Sequence, residues 1–201
     1  MTKEMLCSNC VEPTLANPTR RDMIKIAIVS VAGLALIDKE TYAAAGIASK
    51  GEIKPGDFLV ADDAGDIPVP LAPSDLKPGR PLVAYPYDAA ENIVRSSSRF
   101  NKIVLLRLDE AELNPETKIR AAEGVLGFSA ICTHQACEVK TWISKQKVLA
   151  CYCHGSLFQP LESGAVIGGP APRPLPTIPL KIDNGKLVIA GPFSAAPGTA
   201  S

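Results

Sequence analysis

The chain has 201 residues with 21 basic and 21 acidic side chains, so its formal net charge is zero. A neutral chain lacks the basic surface that non-specific nucleic-acid binding requires, and we therefore predict no nucleic-acid partner. Its 18 prolines and 15 glycines predict many turns and short strands in preference to long helices.

Residues 1–45 have the pattern of a twin-arginine export signal. Arg20 and Arg21 precede the apolar run 26–37, and the small residues 43–45 then provide a site for signal peptidase. We expect cleavage there and a periplasmic protein. The alternative is a retained anchor that holds the domain at the outer face of the cytoplasmic membrane. The apolar run would form only about 18 Å of helix, whereas the hydrocarbon core is about 30 Å thick.

Residues 46–201 are predicted to form one all-β domain, because short apolar stretches alternate with turn residues. Asn184-Gly185 lies between the last two apolar stretches and predicts a hairpin with a type I′ turn. A helical turn is expected within residues 111–120 and a disordered tail over residues 191–201. The predicted strands are 102–108, 124–131, 147–151, 178–182 and 186–190.

The residues suited to metal binding are clustered after two of these strands. Both histidines and four of the six cysteines belong to the motifs Cys132-Thr-His-Gln-Ala-Cys137 and Cys151-Tyr-Cys-His-Gly-Ser156. Two thiolates suit one iron and two imidazoles suit another, which gives potentials of about −150 to +300 mV. From ligand types alone, a tetrahedral zinc site is the alternative. Cys7 and Cys10 lie upstream, and the sequence indicates no role for them.

The two motifs resemble those of the Rieske iron–sulfur family, C-T-H-x-G-C and C-P-C-H-G-S. The resemblance implies an antiparallel β sandwich or barrel, with a small cluster-binding subdomain built from two loops within about residues 130–173. It also implies a [2Fe–2S] cluster and a disulfide between Cys137 and Cys153. Ala136 and Tyr152 replace the family's usual glycine and proline, and neither change removes a ligand. The implied cluster ligands are Cys132, His134, Cys151 and His154.

The resemblance also implies residues around the cluster that are not ligands. Gly169 and Pro170 match the start of the family's proline loop, which covers the cluster. The Ser156 hydroxyl is expected to donate a hydrogen bond to a cluster sulfur and so raise the potential. Phe158 occupies the position where high-potential members have a tyrosine donor, so we expect an intermediate potential.

The same resemblance implies an electron-transfer subunit of a larger oxidoreductase. Because no histidine lies outside the two motifs, the chain cannot build the second iron site of Rieske oxygenases. We expect a redox partner protein, with a quinol or a c-type cytochrome as candidate partners. The iron–sulfur subunit of a quinol–cytochrome c reductase matches best. The small subunit of arsenite oxidase, an orphan periplasmic carrier and a zinc-binding structural module are the alternatives.

Overall fold

The computed structural model describes residues 51–63, 65 and 67–199 of the chain. The predicted export segment, residues 1–45, lies outside the described residues and stays a prediction. Within the described part, no helix is both long and apolar enough to cross a membrane.

Strands account for most of the regular structure that is described, which confirms the predicted all-β class. The α-helical content of the described residues is one turn, α1 (Pro115–Lys118), inside the stretch where a helical turn was expected. The strands are β1 (Phe58–Ala61), β2 (Leu82–Asp88), β3 (Ile93–Val94), β4 (Ile103–Arg107), β5 (Val125–Ser129), β6 (Thr141–Ile143), β7 (Val148–Cys151), β8 (Ser156–Gln159), β9 (Ala165–Gly168), β10 (Thr177–Ile178), β11 (Leu180–Asp183) and β12 (Lys186–Ile189).

The larger sheet is antiparallel and nearly closed. Its strand order is β10-β5-β4-β2-β1-β12-β11, and β3 pairs with β2. Since only Pro179 separates β10 from β11, the two edges of the sheet are joined by the chain itself. Closure of this kind leaves little free edge for pairing with other chains. The arrangement agrees with the predicted sandwich or barrel.

The predicted strands of this sheet are confirmed, except that the predicted strand 178–182 is divided at Pro179 between β10 and β11. Local sequence explains the strands and the turn that were predicted. β4 and β5 are apolar runs that are buried over nearly their whole length, as expected for strands in the middle of a sheet. The hairpin from β11 to β12 turns at Asn184 and Gly185, which have φ values of 49° and 74°. Two successive positive φ angles are the conformation that a type I′ turn requires.

The smaller sheet, with strand order β6-β7-β8-β9, positions the predicted metal-binding loops. β7 is buried throughout and ends at Cys151, which pairs across the ladder with Ser156 at the start of β8. Leu149 and Phe158 of this sheet share one buried apolar cluster with Val104 and Phe128 of the larger sheet. The common core fixes the small sheet against the barrel-like sheet.

The chain beyond β12 is hydrogen bonded to the larger sheet. The Ser194 N–H donates to the carbonyl of Thr177 at 2.8 Å, and the Thr177 N–H donates to the Ser194 hydroxyl at 3.0 Å. Gly198 is buried beside the Phe100 ring. Residues 191–199, where a disordered tail was expected, thus make specific contacts, which hydrophobic periodicity does not reveal because they are hydrogen bonds and the close packing of a glycine.

Candidate metal centre

Two loops bring the predicted ligands together. The first loop, Cys132–Cys137, follows β5, and the second loop, Cys151–Ser156, joins β7 to β8. An isolated antiparallel bridge between Ile131 and Glu138 closes the base of the first loop. Within it, the Cys132 N–H donates to the Cys137 carbonyl at 2.8 Å, which holds the loop in a compact turn.

The second loop is equally tight. The Gly155 N–H donates to the carbonyl of Cys151 at 2.9 Å, and Gly155 has a φ of 76°. A disulfide between Cys137 and Cys153 joins the two loops, as predicted. The sulfur of Cys151 lies within 4.8 Å of both disulfide sulfurs, so the bond is immediately beside the site.

The four predicted ligands fall into two pairs with different environments. The thiols of Cys132 and Cys151 are free and buried, with 1% and 2% of each residue exposed. The rings of His134 and His154 are perpendicular, and their centroids are 4.7 Å apart. His134 is partly buried and His154 is exposed. The site therefore has a thiol side facing the core and an imidazole side facing solvent.

Burial raises the pKa of the Cys151 thiol above its ordinary value. The backbone N–H of Cys153 opposes this by donating to the sulfur, while the neighbouring Cys132 thiol adds to the increase. The His154 N–H also donates to Cys151 and lowers its pKa. Two backbone donors thus already point at a sulfur that would carry negative charge as a metal ligand.

A third stretch lies over the two loops. This cover segment, Gly168–Arg173, contains the predicted Gly169 and Pro170. Gly169 has a φ of 80°, and a Cβ there would lie 2.4 Å from the carbonyl oxygen of Gly155. Only glycine allows this backbone conformation together with such close approach. The cover segment is therefore seated directly on the second loop, against the backbone of Gly155 and Ser156.

A match to a family profile decides the family of this chain. The profile of the Rieske [2Fe-2S] domain matches residues 71–179, more than half of the chain. The chain belongs to the Rieske family. It therefore binds a [2Fe–2S] cluster and functions as an iron–sulfur electron carrier.

The chain is similar to several individual proteins. A Haloferax mediterranei protein, provisionally named respiratory nitrate reductase subunit Rieske, is 27% identical over 96% of this chain and 91% of its own length. The cytochrome bc1 complex Rieske iron-sulfur subunit of Streptomyces lividans is 29% identical over 65% of this chain and 79% of its own length. The soluble domain of Rieske protein II from Sulfolobus acidocaldarius is 25% identical, with a TM-score of 0.36, over 47% of this chain and 65% of that one.

Two buried polar atoms of this Rieske chain fit a bound cluster. Among the described residues, Nδ1 of His134 and Oγ of Ser156 are buried and have no hydrogen-bond partner within the protein. Buried polar groups without partners are rare in folded proteins, because each costs free energy. A group bound between the two loops would provide partners for both atoms. Ser156 is fully buried and lies opposite Cys151 in the pairing of β7 with β8.

Two cationic side chains that precede β4, those of Arg99 and Lys102, contact the first loop and the residue after it. Arg99 donates to the carbonyl of Ala136. The Lys102 ammonium lies 3.2 Å from a carboxylate oxygen of Glu138, which directly follows the loop. Burial would raise the pKa of Glu138, but hydrogen bonds from Lys140 and Lys102 outweigh it and lower that pKa. These contacts fix the position of the loop relative to the sheet.

Thr133 and Arg173 were not singled out in the sequence, although both contribute to the site. Thr133 lies between two predicted ligands and is fully buried, and its hydroxyl donates to the Arg173 carbonyl at 2.8 Å. The one local signal was the position of Thr133 inside the first motif. The partner is 40 residues away, which sequence spacing cannot reveal.

Ala136 occupies a backbone conformation that suits glycine, with a φ of 54°. We expect Ala136→Gly to stabilise the protein by about 0.5–1 kcal/mol. Relief of left-handed strain is worth about 1–2 kcal/mol, and the greater chain entropy of glycine offsets part of it. Chemical denaturation measures the change. Ala111→Gly is the control, since Ala111 is exposed and does not have positive φ. Equal destabilisation by both substitutions would contradict the prediction.

Proposed function

We propose that Cys132, His134, Cys151 and His154 hold the cluster and that the chain is the electron-transfer subunit of an exported respiratory oxidoreductase. The observation that supports the ligand set best is the meeting of two buried thiols and two imidazoles between disulfide-joined loops. When bound there, the cluster supplies a reversible one-electron couple. The protein residues then orient it, exclude water from its thiol side and expose its imidazole side.

The exposure pattern indicates where electrons enter and leave. His154 is exposed, whereas the two thiols are almost completely buried. Tyr152, with 72% of its surface exposed, lies next to the disulfide on the same loop. An electron donor or acceptor is therefore expected to dock against the second loop, near His154. A quinol hydroxyl or the surface of a redox protein would meet the imidazole edge there.

The names of the relatives support a role in a respiratory complex, and they point to two different complexes. One relative has the name of a cytochrome bc1 subunit, which favours a quinol-oxidising partner. The relative aligned over 96% of this chain has the name of a nitrate reductase subunit, which favours a second candidate, an electron-transfer subunit of a respiratory reductase. Both candidates require a larger partner protein. The proposal also includes a domain that begins near residue 46 and an export signal that depends on Arg20 and Arg21.

One experiment tests both the cluster and the export. The full chain is expressed in a bacterium with a twin-arginine pathway, alongside a variant with Arg20→Lys and Arg21→Lys. We expect the unmodified protein in the periplasm, reddish brown and with a one-electron potential of about −150 to +300 mV. The double variant should stay in the cytoplasm. A colourless periplasmic protein would contradict cluster binding, and normal export of the variant would contradict the export route.

Ser156→Ala is expected to lower the midpoint potential by about 20–60 mV. Loss of one hydrogen bond to the cluster would destabilise the more negative reduced state by about 0.5–1.5 kcal/mol. Phe158→Tyr should shift the potential upward, because it would place a hydroxyl donor in the buried cluster that contains both free cysteines, and a hydrogen bond to a ligand sulfur stabilises the reduced state. Voltammetry at fixed pH measures both shifts. Ser144→Ala, on an exposed turn, is the control, and an unchanged potential in Ser156→Ala would mean that the hydroxyl does not contact the cluster.

A further inference from the structure

Arg173 lies where three segments of the chain meet. Its backbone carbonyl accepts the hydrogen bond from the Thr133 hydroxyl of the first loop. Its guanidinium Nη2 donates to the carbonyls of Ala196 and Gly198, at 2.6 Å each. One residue thus connects the first loop, the cover segment and the C-terminal segment, which comprises residues 191–199.

The C-terminal segment is itself attached to the larger sheet. Ser194 exchanges hydrogen bonds with Thr177 of β10. A Cβ on Gly198 would lie 2.8 Å from the Phe100 ring and 3.6 Å from the Ile131 side chain, so this glycine is closely packed on the base of the first loop. The two carbonyls that Arg173 binds are therefore held in place by contacts that do not involve Arg173.

Within the described part of the chain, the side-chain hydrogen bonds of the cover segment all involve Arg173. Gly169 approaches the second loop closely, and Ala171 is buried in the apolar cluster that includes both free cysteines. Hydrogen bonds from a charged donor are stronger than neutral ones, and two on one guanidinium restrict its orientation. Arg173 thus supplies the charged hydrogen bonds at the end of the cover segment, and Leu175, two residues further on, is buried and donates its N–H to the Gly164 carbonyl.

We propose that Arg173 is a positioning residue through which the C-terminal segment holds the cover segment over the cluster. The side chain binds the C-terminal segment, and the main chain binds Thr133 between two proposed ligands. Loss of either attachment lets the cover segment open and admits water and solutes to the cluster. The inference rests on the proposed ligand set for the location of the cluster.

The test compares four holoprotein variants: Arg173→Gln, a chain ending at Ser194, the two changes combined, and Arg173→Lys. The readout is the rate at which ferrozine removes iron from the dithionite-reduced protein. We expect Arg173→Gln to increase this rate about tenfold, because loss of a charged hydrogen bond corresponds to at least that factor. Arg80→Gln is the control, since Arg80 is exposed and distant in sequence from the cover segment.

The combined variant shows whether Arg173 acts through the C-terminal segment. Truncation removes both acceptor carbonyls, so the combined variant should lose iron no faster than the truncated chain. Arg173→Lys should be intermediate, because an ammonium can still donate to one carbonyl. Additive rates, or a rate in Arg173→Gln equal to that of Arg80→Gln, would overturn the proposal.

Hydrogen exchange distinguishes this proposal from that of the ligand set. Amide exchange over residues 168–173 can be measured on the purified protein whether or not it holds iron. Faster exchange in Arg173→Gln, with unchanged exchange in β4 and β5, is the expected result. If the unmodified protein binds no cluster, the ligand proposal fails, while this measurement still decides whether Arg173 holds the cover segment. Unchanged exchange in Arg173→Gln would overturn the positioning role.

Discussion

Cys132→Ser is expected to abolish cluster binding, with iron and acid-labile sulfide falling towards zero. A serine hydroxyl is a poor iron ligand at neutral pH, because thiolate is the preferred ligand of iron–sulfur clusters. Cys132 begins the loop that follows β5, and only 1% of the residue is exposed. Serine is close to cysteine in size, so the fold should survive the substitution. Iron and sulfide analysis, together with circular dichroism, measures the two outcomes separately.

Matched variants make this result specific. Cys151→Ser should lose the cluster in the same way, since its sulfur belongs to the same buried pair. Ser156→Ala changes an equally buried residue that is not a proposed ligand, and it should retain its full iron content. A folded Cys132→Ser protein with a normal cluster would show that Cys132 is not a ligand.

Gly169→Ala is expected to destabilise the protein by about 3 kcal/mol and to weaken retention of the cluster. The added methyl group would lie 2.4 Å from the Gly155 carbonyl oxygen and 2.5 Å from the Ser156 Cα, and neither backbone atom can move freely. Left-handed strain at a φ of 80° adds to the clash. Chemical denaturation measures the stability, and visible absorption follows the cluster over time.

Gly185→Ala separates the clash from the backbone strain. Gly185 also has a positive φ, 74°, but a Cβ there would have no atom within 4 Å. It should therefore cost only the conformational strain, about 1 kcal/mol, and leave the cluster unaffected. Equal destabilisation by the two substitutions would show that the cover segment can move away from the second loop without loss.

The sequence by itself predicted the features that depend on neighbouring residues. β4, β5 and β7 are continuous apolar runs, and burial of such runs is what makes them strands. Asn184-Gly185 predicted its turn because few other pairs tolerate two positive φ angles. The family motifs predicted the Cys137–Cys153 disulfide and the positions of both loops. Each of these signals lies within one short stretch of chain.

Tertiary structure alone decided the contacts between distant segments. Arg95 is fully buried because Asp57, 38 residues away, pairs with it at 2.7 Å. The sequence shows two ordinary charged residues there, since nothing local indicates which partner compensates for the burial of a charge. Thr133 with Arg173, and Arg173 with the C-terminal segment, follow the same rule. A side chain's partner across the fold depends on how distant segments are brought together in three dimensions, and that information is not periodic in the chain.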